Sequence, residues 1–285
     1  MNDANAFLAV VRREITTMAR TRAYAVLTVL LAGVLLGIVE RSDAVAGGYV
    51  PSAVDLLLPM EVLVPVIAIA LGYRAFSGDN DDTAVLSTYP VSNASLVAGV
   101  FFGRLVGLVA VVGLPLLAVM ALVAVTPGLE SAVFATTGGI DSPILFVRFV
   151  ALTVVFGAAV LAVTLAASIL ARSSRAALAL AVGIFVAVVV GGDLLVLGGL
   201  AAGSIPVDSL EIALAISPNS AYRGLVFEYV VGVAAEQEGF IDPLSSAAML
   251  VAWTVFGLVG ATVGLYRQGE TGLVTRLRWR LEELQ

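Results

Sequence analysis

Few side chains in this 285-residue chain are equipped for chemistry, and the missing types say as much as the ones present. One carboxylate, Glu61, sits inside an apolar run between Pro59 and Pro65, while Asp79, Asp81 and Asp82 gather ahead of a short apolar stretch. His, Cys and Lys do not occur, so all 15 basic residues are arginines. Without His there is no Ser-His-Asp triad, no H-E-x-x-H zinc site and no imidazole proton shuttle. Without Cys there is no disulfide, thiolate nucleophile or zinc-thiolate centre. Without Lys the chain cannot form a P-loop, whose lysine holds the nucleotide phosphates, so it does not hydrolyse ATP by itself. No catalytic, cofactor-binding or metal site is expected.

An ionisable group inside a membrane span costs roughly 2.5 to 3.5 kcal/mol on insertion scales, so Glu61 asks for a reason. Pro59 and Pro65 remove backbone donors and leave carbonyls that need partners in a protein-lined interior. Glu61 is therefore the pathway candidate: it faces a polar path or cavity within the protein or pairs with an arginine of a neighbouring helix. The alternative is a span that begins later and leaves Glu61 near the outer interface. Asp55 and Asp193 lie closer to outer helix ends, where an interfacial position accounts for them.

The elements that carry these groups follow from composition. The chain is 60% hydrophobic and 13% charged, with mean hydropathy +1.05, a membrane protein's balance. A helix needs roughly 20 apolar residues to cross about 30 Å of hydrocarbon. Six stretches meet or approach this, at 23–39, 54–73, 105–125, 144–170, 176–200 and 244–266. With both termini in the cytoplasm, Arg12, Arg13, Arg20, Arg22, Arg74, Arg104, Arg172, Arg175, Arg267, Arg276, Arg278 and Arg280 fall inside, and only Arg41, Arg148 and Arg223 outside. This bias selects an all-α membrane protein with six spans. A cleavable signal peptide, imitated by the arginines before the first apolar run and by Ala44-Val45-Ala46, would remove the first span and spoil the count.

Four segments lie outside the spans. In 1–22, Phe7, Val11, Ile15 and Met18 share one helix face, which describes an amphipathic helix in the cytoplasmic interface with arginines on lipid phosphates. The tail 267–285 repeats the design with Leu273, Leu277, Leu281 and Leu284. In the inner connection 74–104, the three Asp precede Thr83 to Leu86, Tyr89-Pro90-Val91-Ser92 breaks the run, and Ser92 or Asn93 caps the next helix. In the outer loop 201–243, two short apolar stretches flank Ser217-Pro218-Asn219-Ser220, a turn and helix start. They either dip into the outer leaflet or form a surface hairpin.

The acidic stretch, short helix and Pro-Val-Ser before a long third span resemble the coupling segment of ABC-2 type transporter permeases. Family members usually carry Glu with Gly-Thr, then Arg after Pro-Val-Ser, then Gly-Lys. Asp81-Asp82-Thr83, Asn93 and Gly99-Val100 stand at those places here. The resemblance implies an exporter-like permease whose partners are a separate ATPase subunit, which uses the ATP, a second permease copy and the lipid bilayer, with no role for nucleic acid. It assigns ATPase coupling to Asp79, Asp81, Asp82, Thr83, Leu86, Tyr89, Pro90, Val91 and Ser92. The size and the long final loop look most like permeases of the copper-processing and nitrous-oxide-reductase maturation type. A membrane-embedded enzyme, for which Asp55 and Asp193 are the available acidic pair, and an ATPase-independent scaffold or channel are the competing readings.

Overall fold

The computed structural model describes residues 3–76, 92–126, 141–171, 173–206, 209–235 and 242–282. Among the described residues the chain is helical and contains no strand. In chain order the helices are α1 (Asp3–Arg20), α2 (Arg22–Arg41), the single turn α3 (Ala44–Gly47), α4 (Tyr49–Gly72) and α5 (Asn93–Val125). They continue as α6 (Pro143–Leu170), α7 (Ser174–Ala201), α8 (Leu210–Ile216), α9 (218–235) and α10 (Pro243–Glu282). Six of them, α2, α4, α5, α6, α7 and α10 as far as Gln268, are long and apolar enough to cross a membrane.

The bundle is built around α4 and α6, whose spans are 56% buried, against 17% for α2, α7 and α10. Between hydrocarbon tails and apolar side chains there is little hydrophobic driving force, so contact depends on small residues that let backbones approach. Along α10, a Cβ on Gly257 would lie 2.4 Å from the Ala162 carbonyl carbon of α6, and one on Gly264 would lie 2.9 Å from Ile169. The similar stripe on α7 behaves differently. Nothing lies within 4 Å of a Cβ on Gly183, and Ala187 and Gly191 line a cavity of about 430 Å³.

Serine caps set the starts of several helices. Ser92, Ser142, Ser173 and Ser217 each accept a hydrogen bond from a first-turn amide of the helix they precede, and Pro143 and Pro218 occupy the favoured first helical position. α5 starts at Asn93, so residues 93–104, which the sequence pattern places in the inner connection, are helical. At 33 residues α5 is about 50 Å long, and some 20 Å of it must project beyond a 30 Å core. A wider π turn, Val109–Gly113, lies just before Pro115, whose ring cannot donate to the preceding turn.

The start of α4 is fixed from far away in sequence. Asp141 accepts the Tyr49 and Val50 amides at 2.7 and 2.8 Å, placing a negative charge on the helix N-terminus. Gly48 makes the approach feasible: its φ is +111°, and a Cβ there would sit 2.1 Å from Asp141 Oδ2. Asp141→Ala should lower stability by about 2 kcal/mol, the scale for hydrogen bonds to a charged acceptor. A detergent-solubilised Asp141→Ala protein with an unchanged thermal midpoint would remove this role.

Candidate functional site

Glu61 lies midway along the 24-residue α4 and is 4% exposed. The two prolines beside it do not break the helix. Its partner comes from α9, which the outer connection delivers against the middle of α4. Arg223 Nε donates to Oε1 at 2.6 Å and Nη2 to Oε2 at 2.5 Å, a bidentate pair. Asn219, one turn earlier on the same face of α9, donates its amide to Oε2 at 3.3 Å. The carboxylate is thus paired with a guanidinium and hydrogen-bonded on both oxygens, the compensation that a buried carboxyl needs in an apolar setting.

A second carboxylate is read by the neighbouring face of α9. Asp193 Oδ1 of α7 accepts Ser217 Oγ at 2.9 Å and Ser220 Oγ at 2.6 Å, while Oδ2 lies 3.8 Å from Arg223 Nη1. Ser217 does two jobs, since its hydroxyl also accepts the Ser220 amide as the cap of α9. The π turn Ala187–Gly191 ends just before Gly192-Asp193. One extra residue in a turn rotates the rest of the helix by about 100°, which sets the side of α7 from which Asp193 projects. Cβ-less Gly192 then leaves room for Ser217, whose Oγ would lie 2.6 Å from a Cβ there.

Three further contacts seat the hairpin. Tyr222 is fully buried, stacks on Phe156 of α6 at 4.8 Å and shares a 2.9 Å hydrogen bond with Thr153. Thr153 already donates to the Phe149 carbonyl, so the phenol is the donor, and burial pushes its pKa up and keeps it protonated. Trp253 Nε1 donates to the Ile216 carbonyl at 2.9 Å, and Arg148 donates to that of Tyr229 at 3.2 Å.

At the other end of the bundle, α1 packs along the projecting part of α5. Cβ atoms on Gly99, Gly103 and Gly107 would meet Val10, Glu14 and Met18 at 2.7, 2.5 and 1.8 Å. The buried face of α1 is therefore Ala6, Val10 and Met18, rotated from the Phe7-Val11-Ile15-Met18 stripe read from sequence. The amphipathic pattern points that stripe at lipid, but the glycines of α5 offer a protein groove beside it. Arg104 of α5 pairs with Glu14 at 3.1 Å and donates to the Leu71 carbonyl at the C-terminus of α4, where a cation suits the helix dipole.

Against this architecture the comparisons with known proteins are specific. Residues 8–269 match the family described as ABC-2 family transporter protein. The chain belongs to that family. It is also 28% identical over 271 residues to a Pseudomonas aeruginosa protein described as a probable ABC transporter permease protein NosY, covering 90% of this chain and 94% of the relative. The protein is a multi-pass permease subunit of an ABC transporter in the cell membrane.

Of the residues singled out in the permease sequence, Glu61 is buried and ion-paired, and Ser92 caps α5. Asp79, Asp81, Asp82, Thr83, Leu86, Tyr89, Pro90 and Val91 lie outside the described residues. Sequence reasoning misses Arg223, Asn219, Ser220 and Tyr222 as site residues, and reads Asp193 as a residue of an outer helix end or a partner of Asp55 where the structure sets it against Ser217, Ser220 and Arg223. Their signal is nonetheless present: an arginine that the positive-inside count leaves as an exception, four residues after an Asn that itself follows Ser-Pro at a helix start.

Removing one partner of a buried pair costs about 3 to 5 kcal/mol, and the 40% exposure of the Arg223 side chain puts this one at the low end, about 3 kcal/mol. Arg223→Met should therefore destabilise the permease sharply in thermal unfolding, while Arg223→Met with Glu61→Leu recovers most of the loss. Equal destabilisation in the single and double variants would exclude the pairing as the source.

Proposed function

We propose that the permease is driven by a separate ATPase subunit docking on residues 79–92, that two permease copies form the translocator, and that the outer hairpin α8–α9 is its outer gate. The observation that carries this reading is the weld of α1 to the first turns of α5, immediately after the coupling segment. Force applied at 79–92 enters α5 at Ser92 and reaches α1 through the glycine groove and α4 through Arg104. The absence of lysine from the sequence supports an ATPase on another chain.

The permease moves its substrate outward in this reading. ATP-driven closure of two ATPase subunits pushes on the two coupling segments, and the bundles respond by alternating access. The hairpin supports the gate assignment because each of its carboxylate partners sits on a different span, Glu61 on α4 and Asp193 on α7. Relative movement of those spans must break or remake the contacts to α9. For the second copy, α2 and α7 offer Gly33, Gly37 and Gly183, where a Cβ would meet no atom within 4 Å.

Asp193, half of the acidic pair that the enzyme reading needs, is engaged by two serines and Arg223, an arrangement that suits a structural contact to the hairpin. Charge reversal at Asp81 and Asp82 combined with Pro90→Ala should abolish co-purification of the ATPase and its stimulation by the permease, while leaving the permease folded. Recruitment at the unaltered level would remove the docking assignment. Separately, Glu61→Gln should slow substrate transport at least tenfold with ATPase recruitment intact; unaltered transport would end the pathway and gate role of Glu61.

A further inference from the structure

Where α1 breaks into α2 at Thr21, the two helices, both packed along α5, leave a cavity of about 330 Å³ against it. Its walls are mostly apolar, with Ile15, Met18, Ala25, Val106 and Ala110 on them, and the hydroxyls of Thr21 and Thr28 there are spent on the Thr17 and Tyr24 carbonyls. Its rim carries Arg20 and Arg22, both exposed and, among the described residues, in no ion pair. Arg22 is the first residue of the first span, so this opening lies at the level where headgroups meet acyl chains.

We infer that this elbow is a binding site for an anionic phospholipid of the cytoplasmic leaflet. The walls and the rim ask for different chemistry within one molecule. An inorganic anion satisfies the arginines but leaves the walls unfilled; an acyl chain alone fills the walls but leaves two guanidiniums facing no counter-charge. A phospholipid supplies both, with its phosphate between Arg20 and Arg22 and the start of one acyl chain against Met18 and Ala110. Two cations at one phosphate favour a net-negative headgroup over a zwitterionic one. The site is separate from the residues that dock the ATPase, and its occupancy does not depend on that assignment.

Native mass spectrometry of the full-length permease, released from detergent micelles doped with phosphatidylglycerol or phosphatidylcholine, tests the site directly. Phosphatidylglycerol should be retained in preference to phosphatidylcholine, and Arg20→Gln with Arg22→Gln should reduce its retention about 20-fold or more. Ala110→Phe, and separately Ala25→Phe, should reduce it with both arginines in place, whereas Arg12→Gln on the outer face of α1 should leave it unchanged. Thermal midpoints of all variants report whether each one is folded, and the two cavity-filling variants back each other up. Equal retention of the two lipids, a loss in Arg12→Gln matching that of the double variant, or normal retention in folded cavity-filled variants would overturn the assignment. So would equally effective competition by inorganic phosphate, which would make the elbow a simple anion site.

Discussion

A carboxylate halfway along an apolar helix has to be compensated where it stands, and much of the outer half of this permease is arranged around that requirement. Glu61 cannot reach water by extending its side chain, as a longer residue near a helix end can. A cation therefore has to come to it, and the chain brings one on α9. Once Arg223 must lie against the middle of α4, the hairpin cannot rest on the membrane surface. It has to enter the bundle, and its own polar groups need partners at that depth. Asp193, Thr153 and Trp253 provide them, each from a different span.

The distribution of arginines takes on a different meaning in this light. Positive-inside counting treats the outer arginines as exceptions, yet two of the three, Arg148 and Arg223, hold the hairpin in place. At the other end of the bundle, Arg104 likewise serves structure, joining α1, α4 and α5. Its charge is why sequence patterning marks a boundary at 104 although the helix runs on from Asn93: an arginine reads as the end of an element unless its partners are known. Glu14 and the Leu71 carbonyl lie 90 and 33 residues away, beyond the reach of any local window.

The same division separates what is legible in the sequence from what is not. Six apolar runs, the serine caps before Asn93 and Pro218 and the anomaly of Glu61 are local properties and can be read directly. The start of α4 cannot, because Asp141 caps it from across a long connection. The face of α1 is nearly legible. Phe7, Val11, Ile15 and Met18 do share a stripe, but Gly99, Gly103 and Gly107 pull the helix onto the adjacent one. The α10 glycines pack on α6 as small residues should, and the equally regular α7 stripe borders a cavity. Spacing identifies a surface that permits close approach, and only the partner's shape decides whether it happens.

The two charged clusters also differ in what they can do. Glu14 and Arg104 join elements that are additionally locked by backbone-close packing along three glycines, so this end is suited to move as one body. The outer cluster joins two spans through one short helix, and its contacts to Asp193 run through small hydroxyls and a 3.8 Å ion pair, beside a half-exposed arginine. With one arginine serving two carboxylates, any movement that improves its contact with one weakens its contact with the other. Arg223 is bound bidentately to Glu61 and only loosely to Asp193, so the asymmetry favours α7 as the element that can part from the hairpin while α4 keeps it. A rigid end at α1 and α5 and a divisible end at the hairpin are what the proposed mechanism requires, in which a push at the coupling segment opens the opposite face.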